Sequence, residues 1–219
     1  MTIELKKRII TSFFLLSLLA LMFYYSFILI ITLIIISIIT WIEFYALISK
    51  IFKKNNIKEK IIRLFAKAFS LIYLTLITFL ILDNFDQKIY IFFILLISIS
   101  TDIGGFIVGK TFKGKKLSKI SPNKTISGTF GSIIFSMLLI PFFYTQLDIL
   151  NIYLLFFYTF VISIVSQLGD LFVSLLKRKA KVKDTSDLLP GHGGFLDRID
   201  GIIFAMPTGI LLLNIFLIK

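Results

Sequence analysis

The sequence predicts an all-α integral membrane protein of about seven transmembrane helices, N-terminus cytoplasmic and C-terminus outside. Three observations carry that prediction. Hydrophobic residues make up 58% of the 219-residue chain, 25 of them Phe, and the mean hydropathy is +0.97, more apolar surface than a soluble domain of this length buries. These residues gather into long runs separated by short polar connections. Of the 24 Lys and Arg, all but Lys88 and Lys219 fall on alternate connections, which the positive-inside rule assigns to the cytoplasm.

The elements follow in order. MTIELKKR before an apolar run has the outline of a signal peptide, but the next segment is apolar too and no small-residue cleavage site precedes a polar mature chain, so a retained first helix is expected. From Ile9 to Ile48 the only acidic or basic side chain is Glu43. Forty residues make about two spans of roughly 20 residues each, with a turn near Tyr24 to Ser26. A basic loop carries Lys50 to Lys67 with a turn at Asn55 and Asn56. A third span runs from about Ala66 to Leu82 and, after DNFDQK, a fourth from Ile89 to about Gly109. A second basic loop, Lys110 to Gly128, leads to a fifth span over about Thr129 to Tyr144. After TQLDILN the sixth runs from about Ile152 to Leu176, and the seventh from Ile202 to Ile218. Residues 1–88 thus form an N-terminal group of three spans, and 89–219 a C-terminal membrane domain of four.

The absence of cysteine removes disulfides, thiolate catalysis and cysteine metal sites. The net charge of +12 does not call for nucleic acid, because basic residues of a membrane protein meet anionic lipid and phosphate on the cytoplasmic side.

Chemistry is expected in Ser166 to Gly201, which holds the only histidine, His192, and five of the twelve acids between two apolar runs. Ionisable groups there are costly unless they pair, bind metal or contact a charged ligand. Ser163, Gln167, Asp170, Ser174 and Lys177 or Arg178 recur at three to four residues and stack on one helical face. Asp170 lies about two turns inside the cytoplasmic end, where a cation, or Lys177 or Arg198, could partner it. Asp197 and Asp200 flank Arg198 and, with a helix beginning near Phe195, lie in its first turns, where the positive dipole end favours anions. Carboxylates beside a phosphate substrate suit Mg²⁺, and helix capping is the other reading. The glycine turn Pro190 to Gly194 can bring backbone amides to a phosphate, or serve only as a turn. Asp102 follows Ser98 and Thr101 on the fourth span, where Gly105 and Gly109 permit close helix contact. Ser121, Lys124 and Thr125 precede the fifth span, where either a capped helix entry or phosphate binding fits.

Together these stretches resemble the CDP-diacylglycerol synthase family, also called phosphatidate cytidylyltransferase. The match rests on Ser174-x-x-Lys177-Arg178, Lys183-Asp184 and Pro190-Gly191-His192-Gly193-Gly194-x-x-Asp197-Arg198-x-Asp200. Gly169-Asp170-Leu171 and Ser121-Pro122-x-Lys124-Thr125-x-x-Gly128 support it, the latter differing at Ile126 and Ser127. The resemblance covers the C-terminal half, from Thr101, and makes 89–219 a catalytic membrane domain. It implies transfer of CMP from CTP to phosphatidic acid, giving CDP-diacylglycerol and pyrophosphate, at the cytoplasmic face of a bacterial inner membrane.

It further implies Asp170, Asp197, Asp200, Lys177 and Arg178 as catalytic residues, with Asp170 and Asp197 as ligands to Mg²⁺ and room for a second cation. Asp102, Ser121, Lys124, Thr125, Ser174, Lys183, Asp184, His192, Gly193, Gly194 and Arg198 are implied in substrate binding. On this reading the site closes when Asp170 meets Asp197, and small-residue helix faces allow a homodimer. A CTP-dependent polyprenol or phytol kinase would instead release CDP. A transporter is the alternative from another class, although the outer connections carry no matching polar cluster.

Overall fold

The computed structural model describes residues 3–53, 56–118, 121–122, 124–147, 151–191 and 193–217. Expectations that fall on Lys54, Asn55, Lys119, His192, Lys219 and residues 148–150 lie outside them. Among the described residues the regular structure is α-helical, apart from one 3₁₀ turn and two isolated bridges, Lys116 with Thr125 and Leu189 with Gly193. Among the described residues five helical segments are long and apolar enough to cross a membrane: Ser26–Ile51, Ile57–Asp83, Phe85–Phe112, Ile126–Phe143 and Ile152–Lys179. Ile10–Met22 and Ile202–Ile215 are shorter apolar helices.

The chain divides into two compact units, Met1–Leu82 with Leu176–Ile199, and Asp83–Leu175 with Asp200–Lys219. The first holds α1 (Ile3–Tyr24), α2 (Ser26–Ile51), α3 (Ile57–Asp83), the last turn of α7 (Ile152–Lys179) and the short α8 (Leu196–Ile199). Tyr25, extended at φ −116 and ψ 108, separates α1 from α2, inside the expected turn. Helix α3 begins nine residues before the expected third span. Lys58, Lys60, Arg63 and Lys67 therefore ride on a helix rather than in a loop, since Lys and Arg are good helix formers whose charged heads reach water past an apolar stem. Polar bonds join α2 and α3: Thr78 donates to Ser37 Oγ at 3.2 Å, and Trp41 Nε1 to the Lys67 carbonyl at 3.3 Å.

The second unit holds a 3₁₀ turn (Phe85–Gln87), α4 (Lys88–Phe112), α5 (Ile126–Met137), α6 (Ile140–Phe143), most of α7, and α9 (Ile202–Leu217). Its core stacks Phe93 against Tyr158 and tilts Phe143 onto Phe93, with Ile94, Ile97, Ile162 and Ile210 buried around them. Helices α4 and α5 meet through glycine. A Cβ on Gly131 would stand 2.8 Å from the Gly104 carbonyl oxygen, and one on Gly128 2.8 Å from that of Gly105, so the backbones touch where no side chain fits. The close contact expected at Gly105 and Gly109 is thus completed by glycines of the partner helix. The fifth span is one apolar segment broken after Met137. Pro141 stands at the start of α6; it has no N–H to donate and disfavours helical backbone in the residue before it.

Candidate functional site

In the second unit, α4, α5 and α7 enclose a cleft of about 300 Å³ whose lining includes Asp102, Ser121, Lys124, Thr125, Gln167 and Asp170. Lys124 is delivered by a capped helix entry: Thr125 Oγ1 accepts the Gly128 amide at 3.1 Å, and the Leu117 amide donates to the Lys124 carbonyl at 2.8 Å. Capping and cleft lining, separate readings of this stretch, therefore coexist. Lys124 Nζ forms an ion pair with Asp170 Oδ2, both side chains remaining about a quarter exposed. Ser174 donates to Asp170 Oδ1 at 3.2 Å, as expected from their spacing on one face. Lys177, one of the partners expected for Asp170, pairs with Asp197, and Asp170 takes Lys124, 46 residues upstream in a separate element. Ser132 donates to the Thr101 carbonyl at 2.7 Å and Thr101 to Ser163 at 2.9 Å, tying α4 to α5 and α7 around the cleft. Gln167, on the Asp170 face, has a buried Nε2 with no hydrogen-bond partner among the described residues.

In the first unit, the loop from Ala180 to Phe195 folds around one carboxylate. Asp197 Oδ1 accepts Lys177 Nζ at 2.6 Å, and Oδ2 accepts the Thr185 amide at 2.8 Å, its hydroxyl at 3.0 Å and the Gly194 amide at 3.0 Å. Burial pushes the Asp197 carboxyl up, but the Lys177 hydrogen bond, the Thr185 amide, the Lys177 charge and the Gly194 amide together hold it below the ordinary carboxylate value. Gly193 adopts φ +79, accessible to glycine at no steric cost. A Cβ on Gly194 would run into Thr185 Oγ1 and stand 2.8 Å from both Glu43 carboxylate oxygens. Arg178, Lys183, Asp184 and Arg198 are exposed. Asp197 sits on its own four-residue helix, and Asp200 lies beyond it, before α9. The expectation that both belong to the first turns of the last helix is corrected: the Gly201 amide turns back onto Asp200 Oδ1 at 2.9 Å and starts a new helix. Asp170 and Asp197 fall in different units.

Glu43 was not foreseen as a site residue. It is 4% exposed, and four donors converge on it: the hydroxyls of Ser186 at 2.5 Å and Thr185 at 2.9 Å, and the amides of Phe195 at 2.9 Å and Leu196 at 2.7 Å. It clamps both ends of the loop that carries Gly193 and Gly194. The available signal was its isolation, since a lone carboxylate in forty apolar residues must find partners. Spacing puts Gln167 on the helical face of Asp170 and gives it no role of its own.

Among the described residues no three or more His, Asp or Glu gather in one place to hold a metal ion. Mg²⁺ needs only one or two carboxylates when phosphate oxygens and water complete its shell. Asp102 on α4 and Asp170 on α7 both line the cleft, with hydroxyls of Ser121 and Thr125 in the same lining, and fit that need; Asp197, with its oxygens already taken by donors, fits it only by releasing them.

A family model described as "Cytidylyltransferase family" matches residues 4–216. A phosphatidate cytidylyltransferase of Bacillus subtilis (strain 168) is 45% identical over 143 residues, 63% of this chain and 53% of its own length. One of Staphylococcus epidermidis is 47% identical over 132 residues, 59% and 49% of the two chains, and one of Staphylococcus haemolyticus 44% over 137, 61% and 51%. The chain spans about half the length of these curated relatives.

Proposed function

We propose that this chain, which belongs to the cytidylyltransferase family, transfers CMP from CTP to phosphatidic acid and yields CDP-diacylglycerol and pyrophosphate. The observation that carries the reading is the cleft in which Lys124 pairs with Asp170 beside the unpartnered Gln167 amide. In the reaction a phosphate oxygen of phosphatidic acid attacks the α-phosphorus of CTP. The new P–O bond forms as the bond to the β-phosphate oxygen breaks, and pyrophosphate leaves with that electron pair. Both reactants are anionic, so fixed cations and donors that oppose this charge are the main catalytic need. Lys124 and Gln167 would meet phosphate oxygens, and Ser121 and Thr125 would offer hydroxyls. Phosphatidic acid is already substantially ionised near neutral pH, so no general base is required of His192.

Asp170, with Asp102 in the same cleft lining, would hold Mg²⁺, which supplies charge neutralisation at the phosphates when bound. With Asp170 engaged in this way, Lys124, which pairs with it here, would be left to oppose substrate charge. Asp197 would join as a ligand only by giving up Lys177. In this arrangement it secures the loop of Lys183, Asp184, Gly193 and Gly194, which Lys177 and Arg178 precede on α7 and Arg198 follows on α8. We place the reaction at the cytoplasmic face of a bacterial inner membrane, in a seven-span chain with its N-terminus inside, on the 22 to 2 division of Lys and Arg. The glycine faces of α4 and α5 are spent on each other within the chain, so a homodimer would have to use another surface.

The test is product identity. Purified chain with phosphatidic acid, CTP and Mg²⁺ should release pyrophosphate in step with CDP-diacylglycerol. Release of CDP with phosphorylation of a lipid alcohol would replace this reading with a lipid kinase, and movement of substrate across vesicles without use of CTP would replace it with a transporter.

A further inference from the structure

In the first unit a row of cations faces a row of aromatic residues, none of them assigned to the reaction above. Lys60, Arg63 and Lys67 recur every three or four residues on α3 and so share one helix face. Trp41 and Tyr45 do the same on α2. These residues wall an open groove of about 710 Å³. Lys67 Nζ lies 3.2 Å from the centre of the Tyr45 ring, and the Arg63 guanidinium reaches the Phe52 carbonyl at 3.5 Å. Among the described residues none of the three cations forms an ion pair. Three positive charges thus converge on a concavity at the polar ends of two helices that can cross a membrane. The same groove is lined by Leu64 and Leu71, 68% and 43% exposed. Cations and aromatic rings at interface depth beside apolar wall suit an anion carried on hydrocarbon. A free anion gains nothing from the leucines, and a zwitterionic lipid brings a cation of its own.

We propose that this groove binds the phosphate of an anionic phospholipid of the surrounding bilayer, with an acyl chain against Leu64 and Leu71. The inference is independent of the reaction, because binding is read without CTP.

Trp41 is the only tryptophan of the chain, so its emission reports the groove alone. Full-length protein in phosphatidylcholine nanodiscs is doped with phosphatidylglycerol, phosphatidic acid or phosphatidylcholine brominated on an acyl chain. Both anionic lipids should quench Trp41 at lower mole fraction than brominated phosphatidylcholine, by about fivefold for each cation engaged. The preference should shrink as salt rises and fall toward that of phosphatidylcholine in Lys60→Gln/Arg63→Gln, which leaves the Lys67 and Tyr45 contact in place. Equal quenching by the three lipids, a preference unchanged by salt, or its abolition by millimolar inorganic phosphate would each overturn the proposal. The salt titration uses the unaltered chain, so the test stands even where the double variant does not fold.

Discussion

Glu43→Gln is the perturbation whose size the structure fixes most closely. Each carboxylate oxygen takes one hydroxyl and one backbone amide: Oε1 from Ser186 and Phe195, Oε2 from Thr185 and Leu196. Glutamine keeps one acceptor oxygen and places an NH₂ where the other stood. A hydroxyl facing that NH₂ can turn and accept, but a backbone N–H cannot. Whichever way the amide sits, one buried N–H of the Phe195 and Leu196 pair faces a donor, at about 1–3 kcal/mol. The remaining bonds lose their charge assistance, bringing the local cost to about 2–4 kcal/mol. The Thr185 hydroxyl also lies 3.0 Å from Asp197 Oδ2. Its single proton serves one carboxylate at a time, so the change reaches Asp197 as well. Amide hydrogen exchange of purified protein should show Phe195 and Leu196 opening roughly 30- to 700-fold more often, with CMP transfer falling in parallel. Unchanged exchange at both amides in a folded Glu43→Gln protein would refute the clamp.

Asp170→Asn and Asp197→Asn should each abolish Mg²⁺-dependent incorporation of labelled CTP into lipid while the protein stays in the membrane; full activity in either variant removes that residue from the ion-binding assignment. Because the Asp197 carboxyl is held below its ordinary value of 3.8, its stabilising effect is fully present above that pH and is lost as pH falls through the lower, folded value. Protection of the Thr185 and Gly194 amides should therefore persist from pH 7 to about 4 and fail only below it; loss near pH 6 would contradict the network. Gly131→Ala drives a methyl group into Val108 and toward the Gly104 carbonyl. Overpacking of this kind costs about 1–3 kcal/mol, seen as a lower Tm in detergent, and an unchanged Tm would show that α4 and α5 can separate freely.

What could be read in the sequence was whatever depends on local pattern. Apolar runs located α2, α4, α7 and α9 to within a few residues, because the cost of unsatisfied backbone in hydrocarbon leaves helix as the local solution. Spacing put Ser174 on the Asp170 face, and they are bonded. The basic start of α3 reads as a loop by its charge and is helical in the structure, because Lys and Arg favour helix. The break after Met137 lay in Pro141, which was passed over within an apolar run. Pairings between distant elements were beyond local reading. Lys124 with Asp170, and Glu43 with a loop some 150 residues away, are set by how helices pack, and spacing along the chain carries no trace of that.

A cytidylyltransferase moves a nucleotidyl group and a lipid kinase a terminal phosphoryl group, and the fate of a phosphorus label separates the two. Purified chain given phosphatidic acid and Mg²⁺ with CTP labelled at the α-phosphorus should place the label in lipid. With CTP labelled at the γ-phosphorus, all of it should leave as pyrophosphate. Label from the γ-position in lipid, with none from the α-position, would contradict the account.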